Sequence, residues 1–224
     1  KSNFLAIVSH ELRSPLTTVI GYADLLMKGI PEALPESVSR YIHRIRTSAW
    51  HQASLIEQVL SFSRLEGERA EINPERIEVG RFIRERTTLI AARAREKGFA
   101  FDLRVPDAPV WMKTDPSKLS QILLNLLSNA LKFTEAGSVR LTFEHNPERV
   151  IFRVEDTGSG ISPEHMDHIF EPFWQAEDPT TRSAGGTGLG LVIAQRLTRL
   201  LGGTLEIHSE LGKGTTATVR LPVR

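Results

Sequence analysis

From residue 4 to residue 28 the apolar positions fall three and four apart, at Leu5, Val8, Leu12, Pro15, Val19, Tyr22 and Leu26. This is a heptad stripe, and it predicts one long amphipathic helix. A Gly-Ile-Pro break at 29–31 and Pro35 end it. A second helix is predicted from near Glu36, with Ile42, Ile45, Ala49, Gln52, Ile56 and Val59 at the same spacing. Helices of about 25 to 30 residues are roughly 38 to 45 Å long at about 1.5 Å per residue. An antiparallel pair of that length has stripes that one neighbour does not cover. Two hairpins closing into a four-helix bundle would cover them, so a homodimer is expected; the alternative is a hairpin packed on its own second domain.

After Leu65 the pattern becomes loop punctuation, Glu66-Gly67-Glu68 and then Asn73-Pro74, which reads as a hinge between domains at 1–68 and 69–224. Beyond it the periodicities alternate. Helices are predicted over Ile77 to Lys97, Pro116 to Phe133 and about Gly188 to Leu201. Strands are predicted over Phe99 to Val105, Ser138 to Glu144, Arg149 to Asp156, Thr204 to Ser209 and Thr215 to Leu221. The order suggests an α/β sandwich, one sheet with helices on one face, and an α+β chain as a whole. The arginines at 81, 84, 86, 93 and 95 alternate with acidic residues and read as a solvated helix face.

Composition narrows the partners. The 224 residues are 40% apolar, and 28 Lys and Arg against 27 Asp and Glu leave a net charge of +1. That balance carries no electrostatic footprint for nucleic acid or an anionic membrane surface. With no cysteine there is no disulfide framework and no thiolate metal site, which fits a reducing, cytoplasmic setting. No apolar run approaches the roughly 18 residues of a membrane span. A chain that opens inside a helix is expected to be a fragment whose upstream part is missing.

The candidate chemistry starts at His10. It lies two positions from both Val8 and Leu12, so at about 100° per residue it points away from the stripe. An outward helical histidine is either ordinary surface or a nucleophile. Glu11 beside it can accept a hydrogen bond from one ring nitrogen and leave the other unprotonated. Pro15 lacks a backbone donor and is expected to bend the helix just past the site.

Four further signals follow in order. On the helix over 116–133, Asn125, Asn129, Lys132 and Phe133 share one face, and Leu123, Leu126, Leu127, Ala130 and Leu131 share the other. The amides either hydrogen-bond locally or offer oxygens to Mg²⁺, and Lys132 can offset phosphate charge. Asp156-Thr157-Gly158-Ser159-Gly160-Ile161 is a Gly-rich turn after a strand, where backbone can approach a ligand closely. Gly185-Gly186-Thr187-Gly188-Leu189-Gly190-Leu191 opens a helix whose free N–H groups suit phosphate. It is neither a P-loop nor a Rossmann turn, because no Gly-Lys-Ser/Thr follows and Leu191 stands where a final glycine would. Gly212-Lys213-Gly214-Thr215 joins the last two strands and by itself is a hairpin turn.

The run His10-Glu11-Leu12-Arg13-Ser14-Pro15-Leu16 closely resembles the phosphoacceptor motif of the sensor histidine kinases, commonly His-Glu-Leu-Arg-Thr-Pro-Leu. The four later signals resemble the N, G1, G2 and G3 boxes of Bergerat-type ATPases. Ile169-Phe170-Glu171-Pro172-Phe173-Trp174-Gln175 is similar to the F box that histidine kinases carry. The resemblance implies a dimeric ATP- and Mg²⁺-dependent kinase that phosphorylates His10, with Glu11 as general base, and then passes the group to an aspartate of a response regulator receiver domain. It implies that Ser14, in place of the usual threonine, positions water for dephosphorylation of the regulator. Asn129 ligates Mg²⁺, Asp156 reads the adenine amino group, and Lys132 and Arg182 meet the phosphates. Phe133 lines the base pocket, together with Asn125, Gly158, Gly160, Ile161, Phe170, Gly186, Thr187, Gly188, Leu189, Gly190 and Thr215 as nucleotide-site residues. Residues between Trp174 and Thr187 are expected to form a lid. Ala217 stands where the family often has an aromatic, with little expected effect on binding. Two rivals share parts of the pattern. A Bergerat ATPase that clamps partners by hydrolysis leaves the His-Glu-x-x-x-Pro run unexplained, and a dimeric scaffold would bind nucleotide without phosphorylating.

Overall fold

The computed structural model describes residues 2–29, 34–66, 71–175 and 187–223, with the side chains of 2–14, 51 and 66 outside the description. The chain divides into two compact units, Lys1–Arg69 and Ala70–Arg224.

The first unit is a pair of helices packed on each other, α1 (Ser2–Met27) and α2 (Glu36–Glu66). Helix α1 runs continuously through Pro15. Its buried side chains here are Ile20 and Ala23, and those of α2 are Ala49, Leu60 and Phe62. Arg46 on α2 reaches Asp24 on α1 at 3.3 Å. The stripe expected as a single seam therefore divides. Ala49 is buried, but Val19, Tyr22, Ile45 and Val59 are exposed on the isolated hairpin. The physical reason is that a helix of this kind carries more than one apolar flank, and the hairpin interior takes the row one position later on α1.

The second unit begins with a short strand, β1 (Glu75–Glu78), which pairs antiparallel with β3 (Trp111–Thr114). Residues 77 and 78, expected to be helical, are strand. Helix α3 (Val79–Glu96) starts where the Glu78 carboxylate accepts from the N–H groups of Gly80 at 2.9 Å and Arg81 at 2.6 Å. A capping residue has extended backbone, so it can close a strand and open a helix at once. Next come β2 (Ala100–Arg104), helix α4 (Pro116–Phe133), β4 (Ser138–His145), β5 (Arg149–Asp156), a single turn α5 (Pro163–Met166), α6 (Gly190–Leu200), β6 (Thr204–Glu210) and β7 (Gly214–Pro222). The strands β1 and β3 and the turn α5 are additions to the sequence reading.

Five strands form one sheet in the order β2-β4-β5-β7-β6, with β2 parallel to β4 and the other pairs antiparallel. One face of the sheet buries Val139, Leu141, Phe143, Val150, Phe152, Val154 and Val219. The helices supply Leu119, Ile122, Leu123, Leu127 and Ile193 to the same core. Burying each such side chain stabilises the fold by about 1.5–3 kcal/mol. The opposite face carries charges that pair between neighbouring strands, Arg140 with Asp102 at 2.8 Å, Arg153 with Glu144 at 3.4 Å and Arg220 with Glu206 at 2.7 Å. Alternation along each strand thus commits one face to the helices and leaves the other to water.

Candidate nucleotide site

Helix α4 fixes the first group of site residues. Its N-terminus is capped by Asp115, which is buried and accepts from Ser117 N–H and Lys118 N–H, both at 3.0 Å, from Ser117 Oγ at 2.7 Å and from Lys118 Nζ at 2.6 Å. Its apolar face packs Leu119, Ile122, Leu123, Leu126, Leu127, Ala130 and Leu131 into the core. Asn125, Asn129, Lys132 and Phe133 are left half-buried on the other side.

Two of these meet the start of α6. A Cβ placed on Gly190 would lie 3.9 Å from Asn129 Oδ1 and 4.0 Å from Asn125 Oδ1. Both amide oxygens therefore border the first turn of that helix. The Asn125 Nδ2 is buried and has no hydrogen-bond partner among the described residues. A buried amide without a partner is costly, by about 1–3 kcal/mol. Helix α6 also lacks a side-chain cap, since its N-cap residue is Leu189, whereas Glu78 and Asp115 cap α3 and α4. Uncapped N–H groups beside two carboxamides form a place where phosphate oxygens and a hard cation fit. Leu189 itself is fully buried and anchors the turn; its N–H donates to Thr187 Oγ1 at 3.2 Å. Gly188 has φ +70°, and a side chain there would press on the backbone of Phe173 and Trp174.

The second group gathers at the end of β5. Asp156 accepts from the N–H groups of Gly158, at 2.9 Å, and Thr215. Burial pushes its carboxyl above the ordinary carboxylate range, against the pull of those two bonds. Gly158 packs so closely on the Phe133 carbonyl that a Cβ would overlap it, and Ser159 N–H donates to the same oxygen at 3.2 Å. Gly160, at φ +66°, is held against the Glu210 carbonyl in the same way. The Asp156 turn thus joins the C-terminal end of α4 to the β6–β7 turn. Lys132 places its Nζ 4.5 Å from the centroid of the Phe133 ring, and burial lowers its pKa from the ordinary lysine value.

Ile161 and Phe170 are half-buried in the segment around α5. There the Trp174 ring stacks on His168 and meets His165 edge-on, at centroid distances of 5.7 and 5.2 Å. Phe173, at φ +66° and 60% exposed, is the one non-glycine residue with positive φ among the described residues. The structure brings together Asn125, Asn129 and Gly190 on one side, and Phe133, Asp156, Gly158 and Thr215 on the other. Both groups hang on α4. Arg182, Gly186 and the expected lid lie outside the described residues, as do the side chains of His10, Glu11 and Ser14, whose backbone belongs to α1. The two amide oxygens beside the uncapped start of α6 are donors suited to phosphate-bound cation chemistry. Sequence reasoning passed over Asp115, although an Asp-Pro pair ahead of a helical pattern is a start signal. It also passed over Ser209, discussed below.

Comparison with known proteins agrees with this geometry. Residues 1–68 match the His Kinase A (phospho-acceptor) domain, and residues 114–224 match the histidine kinase-, DNA gyrase B- and HSP90-like ATPase family. The circadian input-output histidine kinase CikA of Synechococcus elongatus is 38% identical over 99% of this chain and 30% of its own length. The sensor histidine kinase RcsC of Escherichia coli is 37% identical over 100% of this chain and 23% of its own. The chain therefore spans less than a third of these relatives. Among solved structures, full-length ShkA in complex with AMPPNP superposes with a TM-score of 0.77 at 36% identity, covering all of this chain and 46% of that one. The mycobacterial sensor histidine kinase MprB gives 0.58 at 28% identity over 67% of this chain and 99% of that one. With a phosphoacceptor-type hairpin ahead of an ATPase-type sandwich whose paired asparagines flank an uncapped helix, the chain belongs to the sensor histidine kinases.

Proposed function

We propose that this chain is the catalytic core of a two-component kinase that works as a homodimer in the cytoplasm, binds ATP with Mg²⁺ in residues 69–224, and phosphorylates His10 in residues 1–68. The observation that supports the nucleotide half most directly is the convergence of Asn125 and Asn129 on Gly190, with the Asn125 amide nitrogen buried and unpartnered. A phosphate group or its metal-bound water is the kind of partner that amide lacks.

In this reading Asp156 accepts from the adenine amino group, and Phe133 with the Gly158–Ile161 backbone walls the base. The first turn of α6, from Thr187 to Gly190, receives the phosphates. Lys132 and Arg182 offset their charge, and Gly186 belongs to the same nucleotide site. Mg²⁺, held by Asn129 together with phosphate oxygens, would neutralise charge on the transferring group. The unprotonated imidazole nitrogen of His10 forms a bond to the γ-phosphorus as the bond from that phosphorus to the β–γ bridging oxygen breaks, and ADP leaves. Glu11 takes the proton released from the other ring nitrogen. The phosphoryl group then passes to an aspartate carboxylate of a receiver domain. When the regulator is to be dephosphorylated, Ser14 positions the attacking water.

The dimer is supported by the exposed apolar side chains of the hairpin, Val19, Tyr22 and Leu25 on α1 and Tyr41, Ile45 and Trp50 on α2. An apolar surface of this extent marks an interaction site. The test of the whole reading is incorporation of label from γ-labelled ATP. The parent chain is expected to acquire acid-labile label and His10→Gln none. Equal ATP turnover without label in both would favour a hydrolytic clamp, and nucleotide binding without either would favour a scaffold.

A further inference from the structure

We propose that Ser209, on β6, is a positioning residue for the adenine end of the nucleotide pocket; this assignment rests on the nucleotide reading given above. Its hydroxyl makes three short polar contacts. The N–H of Ile161 donates to Ser209 Oγ at 2.8 Å, Ser209 Oγ donates to the Gly214 carbonyl at 2.9 Å, and Thr215 Oγ1 lies 2.9 Å away. Ile161 closes the turn that begins at Asp156. Gly214 and Thr215 begin β7. One hydroxyl therefore ties together the two backbone segments that flank Asp156.

The connection bears on Asp156 because both segments hydrogen-bond it. Its carboxylate is held from one side by the N–H of Gly158 and from the other by the N–H of Thr215. Two more links complete the same seam. Gly212 N–H donates to the Ser159 carbonyl at 2.7 Å, and Gly160 has no room for a side chain against Glu210. Apart from the Asp156 carboxylate itself, the link at Ser209 is the one of these made by a side chain, so it can be removed by substitution without rebuilding the backbone. A serine fits the task because its single hydroxyl is donor and acceptor at once. Alanine would remove the acceptor of the Ile161 N–H and the donor to the Gly214 carbonyl, and let the 156–161 turn part from the start of β7. The carboxylate would then lose its fixed aim at the base, while Asn125, Asn129 and the start of α6 stay as they are. Ser209 touches neither the phosphates nor the transferred group in this arrangement, so its effect belongs to binding and not to the chemical step.

The experiment compares the parent chain, Ser209→Ala and Ser209→Thr for ATP binding by calorimetry and for rate of label incorporation against ATP concentration. Ser209→Ala is expected to raise KM for ATP about tenfold, the size of one lost polar contact, with kcat at saturating ATP within about twofold of the parent. Ser209→Thr, which keeps the hydroxyl, is expected to restore KM. A merely structural role would lower the active fraction and kcat alike and leave KM unmoved. If the parent binds ATP and Ser209→Ala binds it equally well, or if kcat falls with KM unmoved, the assignment is overturned while the nucleotide reading stands. If the parent takes up no ATP, the nucleotide reading fails and this assignment with it.

Discussion

The Asp115 carboxylate accepts a hydrogen bond of 3.0 Å from the backbone N–H of Asn73, 42 positions earlier in the chain. The same carboxylate caps α4, the helix that bears Asn125, Asn129 and Lys132. The opening segment of the second unit is thereby fastened to the N-terminus of α4 through one buried acid.

Asp115 should dominate the acid limb of stability. Burial works to raise its carboxyl, but the bonds from Lys118, Asn73 and Ser117 outweigh it and hold the group well below the usual carboxylate range. A depressed acid stabilises the fold above its unfolded pKa, about 3.9, and that stability is lost as pH falls toward the folded value. Asp115→Asn keeps the cap and removes the charge. It is expected to lower stability by about 1–2 kcal/mol at neutral pH, and the gap from the parent should close below about pH 4. Urea unfolding across pH measures both.

Asp156 should act with the opposite sign. Burial raises its carboxyl, so the folded chain keeps a proton that the unfolded chain has already released. Its contribution to stability is therefore present at low pH and lost as pH rises through the folded pKa. On the proposed function nucleotide affinity moves the other way, because there the ionised carboxylate accepts from the adenine amino group. ADP affinity of the parent is expected to begin falling at a pH above the ordinary value of about 3.9, while Asp156→Asn should be weaker at neutral pH and insensitive across that window. Calorimetric titration at several pH values decides it.

On the hairpin, Tyr22 and Ile45 are 66% and 52% exposed. Placing a charge in a dimer interface is expected to dissociate it, since an unpaired carboxylate there would be desolvated. Ile45→Glu and Tyr22→Glu should shift the chain from dimer to monomer in sedimentation at micromolar concentration and leave ADP binding unchanged. A monomeric parent would refute the bundle.

Ser14→Ala tests the remaining hydroxyl. Labelling of His10 is expected to persist within about twofold, and the rate of phosphate removal from a phosphorylated receiver to fall by at least about tenfold, the range of a positioned catalytic group. Unchanged removal would count against the role given to Ser14.

The sequence was informative wherever a periodicity repeated within one element. Helix α4 spans the limits the pattern predicts, and the i, i+4 spacing of Asn125 and Asn129 already put them on one face. That this face would meet Gly190 depends on how α6 packs, which no local pattern carries. Strands β1 and β3 have four residues each and hold together only by pairing across more than thirty intervening positions, too short for alternation to register. The hairpin seam was displaced by one residue because both rows on α1 are apolar. Ser209 had no signal at all: a lone serine in a strand acquires its role only when the β6–β7 turn folds onto the 156–161 loop.

Gly188 lies directly against the Trp174 carbonyl, close enough that a Cβ would sit 2.6 Å from that oxygen. The described residues that bracket the segment after Gln175 therefore lie side by side. A connection whose two ends abut can be lengthened at little thermodynamic penalty, since each doubling of a flexible connection adds only about 0.6 kcal/mol of closure entropy. Insertions between those two ends should leave the sandwich undisturbed, making this a position where evolution or an engineer can graft new sequence without redesigning the domain.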